Sequence, residues 1–215
     1  MVNALFRFRS EQFEFSNPHQ PSCPTHRIQA WDFSKGDIPD ITDSEANIVV
    51  REAKIHNDAS VDISEDGSLL VTLVPSNLPI SILVGVYSLN PATKGRMFAS
   101  FSLENSAVSV SLSPTSRHLM VGLAQRHGAG RMSMSLTDRT LMAQIYQIKM
   151  PWESTTSGSE DQQPARGRLI HRRDLHQNNE HPMAPNISLN CIRWIPVAGQ
   201  GLVYATNTGL LKILR

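Results

Sequence analysis

Residues 61–71 read VDISEDGSLLV, and their apolar–polar order is the key to the chain. Val61 and Ile63 alternate with Asp62 and Ser64, the period of a strand with one buried face. Glu65-Asp66-Gly67-Ser68 is turn chemistry, with glycine supplying a positive φ. Leu69 to Val74 then forms a second, more buried strand, so the stretch predicts a β-hairpin. The spacing Asp62, Ser64, Asp66, Gly67 also fits the first half of a calcium loop of the helix-loop-helix type. That loop requires an acid at its twelfth position. Leu73 stands there, so the turn is the better reading.

The hairpin pattern recurs. In SAVSVSLSPTSRHLMV (106–121), Val110 and Leu112 alternate before a Pro114-Thr115-Ser116 turn and a new apolar run. In NCIRWIPVAGQGLVYA (190–205), Ile192 and Trp194 do the same before a turn over Pro196–Gly201. A further strand follows each hairpin: LVGVYSL with Tyr87, MAQIYQI with Tyr146, and LLKIL at 210–214. An orphan copy of that third strand, HRIQAWDF with Trp31, precedes the first hairpin. Outer strands separate the copies: VVREAKI (49–55), RMFASFSL (96–103) and RLIHRRDL (168–175). Four strands per unit, recurring every ~40–60 residues, is the signature of a β-propeller. The expected fold class is therefore all-β, a partial propeller of the WD40 type, with about three four-stranded blades plus one orphan strand. Three blades cannot close a ring, so the ring is expected to be incomplete and completed by other sequence or a partner. Trp31, Tyr87, Tyr146 and Trp194 are read as packing residues, with Ile63, Leu70, Leu112 and Leu202 beside them.

Composition narrows the function. The 215 residues carry 20 Lys plus Arg against 19 Asp plus Glu, so no global field draws the chain to nucleic acid or an anionic membrane. No apolar run reaches the ~18–20 residues of a spanning helix. The N-terminal stretch lacks the apolar core and small-residue cleavage site of a secretory signal. Two cysteines, Cys23 in a loop and Cys191 as a small buried residue, suit a reducing compartment better than a disulfide scaffold. Residues 1–25 are read as an N-terminal extension and Pro-rich linker, in which Phe6, Phe8, Phe13 and Phe15 form a strand or a clasp. Residues 26–215 are read as the partial propeller, with flexible loops at about 125–139, 150–166 and 176–187. Ser157, three residues before Glu160, is a conceivable phosphorylation position in a plain solvated loop.

Candidate chemistry is sparse. No nucleophile elbow, P-loop, zincin helix or C-x-x-C is present, which leaves no catalytic or cofactor-binding residues to name. His171, His176 and His181 recur at even intervals, but zinc ligands usually sit closer and in pairs, so they are read as loop histidines and no metal site is expected. The first strands of the units carry Asp62, Ser109, Ser111, Asn190 and Arg193, which form no coherent acid–base set. Arg166, Arg168, Arg172 and Arg173 form a basic run on an outer strand, either a solvated edge guard or a surface for an acidic protein. Protein-contacting residues remain unassigned at this level.

The runs AKIHNDASVDISEDGSLL (53–70), SAVSVSLSPTSRHLMVGLAQR (106–126) and ISLNCIRWIPVAGQGLVYATNTG (187–209), with IQAWDFSKGDIPDI (28–41) before them, resemble the Ambra family, activating molecules in Beclin-regulated autophagy. The resemblance extends in order over residues 26–215. It implies the C-terminal half of a WD40 propeller whose N-terminal half lies elsewhere in the same protein. It further implies a non-catalytic substrate receptor of a cullin-RING ubiquitin ligase, docked on the damaged-DNA-binding adaptor, directing turnover of D-type cyclins and acting on the Beclin complex. The implied location is cytoplasmic, with nuclear and autophagosome-associated pools. Adaptor-docking receptors often carry Arg two positions after a Trp-Asp pair. Here Phe33-Ser34 follows Trp31-Asp32, so no adaptor contact is assigned. A generic WD40 interaction platform without a ligase link is the alternative.

Overall fold

A computed structural model describes residues 9–10, 24–33, 36–39, 41–76, 81–103, 106–124, 139–151, 167–178 and 188–215. Its strands form four antiparallel sheets taken in chain order. The first joins β1 (Arg9–Ser10), β2 (His26–Gln29) and β3 (Ile48–Ala53). The second joins β4 (Val61–Ile63), β5 (Leu69–Pro75), β6 (Ile82–Ser88) and β7 (Met97–Leu103). The third joins β8 (Ser106–Leu112), β9 (His118–Ala124), β10 (Arg139–Lys149) and β11 (Arg168–Asn178). The fourth joins β12 (Leu189–Trp194), β13 (Leu202–Thr206) and β14 (Leu211–Leu214). Each sheet is a simple meander, and the sheets stack face to face along an arc that does not close a ring.

The stacking follows from the side-chain period of two. On β5, Leu69, Val71 and Leu73 enter the core shared with the third sheet, whereas Leu70 and Val74 enter the core shared with the first. On β9, Leu119, Val121 and Leu123 face the second sheet, and Met120 faces the fourth. Both faces of an inner blade are thus covered, which is why these strands read as near-continuous apolar runs rather than strict alternation. Leu70, Leu73, Leu119, Met120 and Ile192 are fully enclosed or within 1% of it. Close approach between the third and fourth sheets requires Gly122, because a Cβ there would lie 2.5 Å from Leu189 Cδ2.

The aromatics of the third strands in the second and third sheets share one job. Tyr87 packs into the core on the first-sheet side, and Tyr146 into the core on the second-sheet side, so each leans toward the preceding blade. Trp31, Tyr87 and Tyr146 are buried. Trp194 differs from expectation, being half-buried against the core between the third and fourth sheets. Its position at the end of β12 leaves part of the indole in solvent. Ile63 is also half-buried, while Leu70, Leu112 and Leu202 are buried.

The first turn is built as its residues suggest. Ser64 Oγ donates to Asp66 Oδ1 at 2.6 Å, and Asp66 Oδ1 also accepts from the Ser68 N–H at 3.0 Å. Ser64 Oγ accepts from the Leu69 N–H at 2.8 Å, and Gly67 takes φ +70°. Asp66 therefore anchors a turn, and these bonds hold its carboxyl below the usual range, the Ser64 hydroxyl foremost. The next blade repeats the device. Ser113 Oγ accepts from the His118 N–H at 3.0 Å, and Ser116 occupies the left-handed position with φ +56°.

Two boundaries differ from the sequence reading. Arg9 and Ser10 pair with Arg27 and His26, so the strand read as an orphan has a neighbour drawn from the N-terminal stretch. The outer strand of the third sheet runs to Asn178 and its partner begins at Arg139, so both strands reach into segments expected to be loops. Period-two patterning fades where a strand is exposed on its outer side, and these extensions lack an apolar signal. Phe6, Phe8, Phe13, Phe15, Cys23, Ser157, Glu160, Arg166 and His181 lie outside the described residues, as does most of the three predicted loops.

Candidate interaction surfaces

The innermost strands β4, β8 and β12 belong to successive sheets and meet through polar side chains. Asp62 on β4 accepts the Leu112 N–H of β8 at 2.7 Å and lies 3.6 Å from Arg193 Nη1 of β12. That same Nη1 donates to the Val110 carbonyl at 2.6 Å. Ser109 Oγ accepts from the Ile192 N–H at 3.1 Å and donates to the Ile192 carbonyl at 3.3 Å. Ser111 Oγ accepts from the Trp194 N–H at 3.2 Å, and Asn57 Nδ2 donates to the Asn190 carbonyl at 3.5 Å. Hydroxyls and charges here replace the ladder bonds that three separate sheets cannot make with one another.

Burial raises the pKa of Asp62, opposed by the Leu112 N–H, the Arg193 charge, the Ile63 N–H and the Ser111 hydroxyl. A raised carboxylate in an inner wall is where a general acid would be sought. Its bonds, however, run to backbone and to the neighbouring blade. Of the five polar residues picked out along the first strands, Asp62, Ser109, Ser111 and Arg193 join the blades through their side chains, and Asn190 contributes its backbone carbonyl.

A second polar cluster lies on the outside of the third sheet. Tyr146 Oη donates to Gln144 Oε1 at 2.9 Å, Gln144 Nε2 donates to Asp174 Oδ1 at 2.9 Å, and His171 Nε2 lies 2.8 Å from the same oxygen. The ring of His171 meets Tyr146 edge-on with centroids 5.5 Å apart, and the Phe101 ring centroid lies 4.2 Å from that of Tyr146. Burial, then the Asp174 charge, pushes the Tyr146 phenol up to about 12. Asp174 is held below its ordinary range, chiefly by Gln144. Sequence reasoning missed this chain of bonds, because its members are spread over two strands and only the register aligns them.

His171 and His176 stand exposed on β11, and Cys191 is half-buried on β12 rather than enclosed. Among the described residues, no three His, Cys, Asp or Glu side chains gather closely enough to hold a metal. Arg168, Arg172 and Arg173 are exposed along the outermost strand. On the last sheet, Leu211 and Ile213 of β14 are 67% and 55% exposed, with Val197 and Leu210 also in solvent. No helix among the described residues is long and apolar enough to cross a membrane.

Known proteins decide the relationship. Two proteins of Danio rerio, activating molecules in BECN1-regulated autophagy 1A and 1B, are 39% and 38% identical to this chain, each over 198 residues and 89% of its length. The chain is homologous to a segment of the Ambra proteins. It spans only 14% and 13% of those two relatives. No family model matches the chain. Solved structures with a similar course include the β-propeller domain of Cps50 (Swd1) from Myceliophteria thermophila. That match has a TM-score of 0.41 and 14% identity, over 86% of this chain and 44% of that one. A chain of the mitotic checkpoint complex gives a TM-score of 0.44 and 17% identity, over 89% and 45%. The all-β partial propeller of this Ambra relative rests on its own strand order, described above.

Proposed function

We propose that this chain is a non-catalytic part of a propeller scaffold that binds other proteins in the control of autophagy. The observation that carries the reading is the identity to the two Ambra proteins along 89% of the chain. Their names tie them to BECN1-regulated autophagy. The stitched inner wall supports a scaffold, since its titratable groups are spent on joining blades.

In the finer form of the proposal, the chain is the C-terminal half of a split WD40 ring. The N-terminal half of the same protein completes it, and the apolar side chains displayed on β14 suit a sheet laid against them. The closed ring acts as a substrate receptor. It docks on the damaged-DNA-binding adaptor of a cullin-RING ligase in the cytoplasm, with nuclear and autophagosome-associated pools, and holds D-type cyclins or the Beclin complex near the ligase. The mechanism is proximity, which raises effective concentration without new chemistry. Phe33-Ser34 after Trp31-Asp32, where an adaptor-docking Arg often stands, favours the second reading, a WD40 platform with no ligase link.

Affinity capture from cytosolic extract tests both. The tagged chain is expressed with and without the N-terminal half. Recovery of the adaptor and cullin only when both halves are present is the expected result. Stable capture of other partners by this chain alone, with no ligase component in either case, would overturn the ligase reading and leave the generic platform.

A further inference from the structure

β11 is the outermost strand of the third sheet, and with 11 residues it is as long as its one partner, β10. Its start is tied to the second sheet, where the Gly167 N–H donates to the Phe98 carbonyl at 2.9 Å. Beyond that anchor, no strand among the described residues pairs with its outer side. An unpaired edge offers a row of backbone donors and acceptors to any extended chain that reaches it.

Charge on this edge is one-sided. Arg168, Arg172 and Arg173 lie on the strand, and Lys149 stands opposite Arg168 in the register. These are four cations in a chain whose net charge is only +1. The single acid of β11, Asp174, offsets at most one of these charges, and its Oδ1 is already bonded to Gln144 and lies 2.8 Å from His171 Nε2. Among the described residues, Arg168 and Arg173 form no ion pair, and Arg172 is bonded to the neutral amide of Gln147. Ile170, 36% exposed, adds an apolar contact between the charges.

The sheet can hold such an edge because its inner side is well fixed. Leu169 packs on the core between the second and third sheets, and Leu175 on the core between the third and fourth. The register slip at Arg172, between the pairs Ile145–Arg173 and Tyr146–His171, reverses the alternation between them.

From the edge left unpaired among the described residues, and from its charge, we infer that β11 accepts an extended acidic segment of a partner protein as an added strand. Backbone bonds supply the register, and the arginines supply selectivity for Glu- and Asp-rich sequence. A nucleic acid fits less well, because the exposed residues of β11 include no Phe, Tyr or Trp on which bases would stack. The inference rests on the scaffold reading but not on the ligase assignment. Its assay involves no ligase component, so the two can fail separately.

The test is fluorescence anisotropy of the 215-residue chain with a labelled peptide of about ten residues alternating Glu and Val, a length that matches the strand. Saturable binding is expected. It should weaken roughly tenfold or more in the variant Arg168→Gln, Arg172→Gln, Arg173→Gln, and it should also weaken as salt is raised. An analogue of equal charge, N-methylated at alternate residues, loses the backbone donors and is expected to lose binding to the same degree. This control leaves the protein unchanged and so does not depend on a variant folding. Equal binding of the methylated peptide would overturn strand addition. So would the absence of saturable binding by the parent peptide, or binding of a single-stranded oligonucleotide in its place.

Discussion

Asp62 offers the sharpest check on how the blades are joined. In Asp62→Ala, the Leu112 N–H loses its acceptor at 2.7 Å, and Arg193 loses a partner at 3.6 Å. A hydrogen bond to a charged acceptor is worth ~1.5–3 kcal/mol, and a donor left buried without a partner costs ~1–3 kcal/mol. These are two descriptions of the same loss and do not add. The ion pair contributes less, since both side chains are about a quarter to a third exposed and solvent screens them. The expected loss is about 2 kcal/mol, a fall in melting temperature of roughly 4–8 °C for a chain of this size. Asp62→Asn retains an oxygen for the Leu112 N–H and avoids burying charge, so it should cost less than about 1 kcal/mol.

The pH dependence carries a sign as well. Because the folded-state pKa of Asp62 is raised, chiefly by burial, folding favours its protonated form. That contribution is complete below the unfolded-state value of about 3.9 and is lost as pH rises through the higher folded value. The stability of the parent relative to Asp62→Asn should therefore decline over that window and level off above it. Urea unfolding followed by tryptophan fluorescence at several pH values measures all three proteins. If Asn is as damaging as Ala, or if Ala costs nothing, Asp62 does not join the blades in the way described.

Four further outcomes are expected. Ser116→Gly relieves a left-handed residue at φ +56°; offset by glycine's extra freedom when unfolded, it should raise stability by about 0.5 kcal/mol in the same urea assay. Trp194→Ala should cost about 2 kcal/mol, below the ~3–5 of a fully buried aromatic, because the indole is half-buried. Trp194→Phe should cost under about 1 kcal/mol, since it removes a buried Nε1–H that has no acceptor among the described residues. Phenolate absorbance should show one tyrosine titrating near 12, a step lost in Tyr146→Phe. The associated stability is held below pH ~10 and declines as pH rises toward 12.

The amino-acid sequence by itself was sufficient for the class of fold. Apolar residues at alternate positions, separated by Ser-Glu-Asp-Gly-Ser and Ser-Pro-Thr-Ser turns, specify hairpins through local chemistry, and their recurrence specifies blades. The roles of Ser64, Asp66 and Ser113 are legible for the same reason, since every bond they make in the turn spans five residues or fewer. The packing roles of Tyr87 and Tyr146 on their third strands were also legible, though not the partial exposure of Trp194, which depends on how β12 ends against its neighbours. The strand at Arg9–Ser10 lies inside the stretch read as a strand or a clasp, but its pairing with β2 was not legible, because two residues carry no period.

What joins the blades belongs to the tertiary structure alone. Asp62 meets Leu112 and Arg193 across 50 and more residues of chain, and Ser109 meets Ile192 across 83. The bond chain from Tyr146 through Gln144 to Asp174 exists only in the register of β10 with β11. The sequence names these polar residues as oddities on their strands. Only the stacking of one sheet on the next determines which donors lack ladder partners, and therefore whether such a residue is a site, a stitch or an open edge.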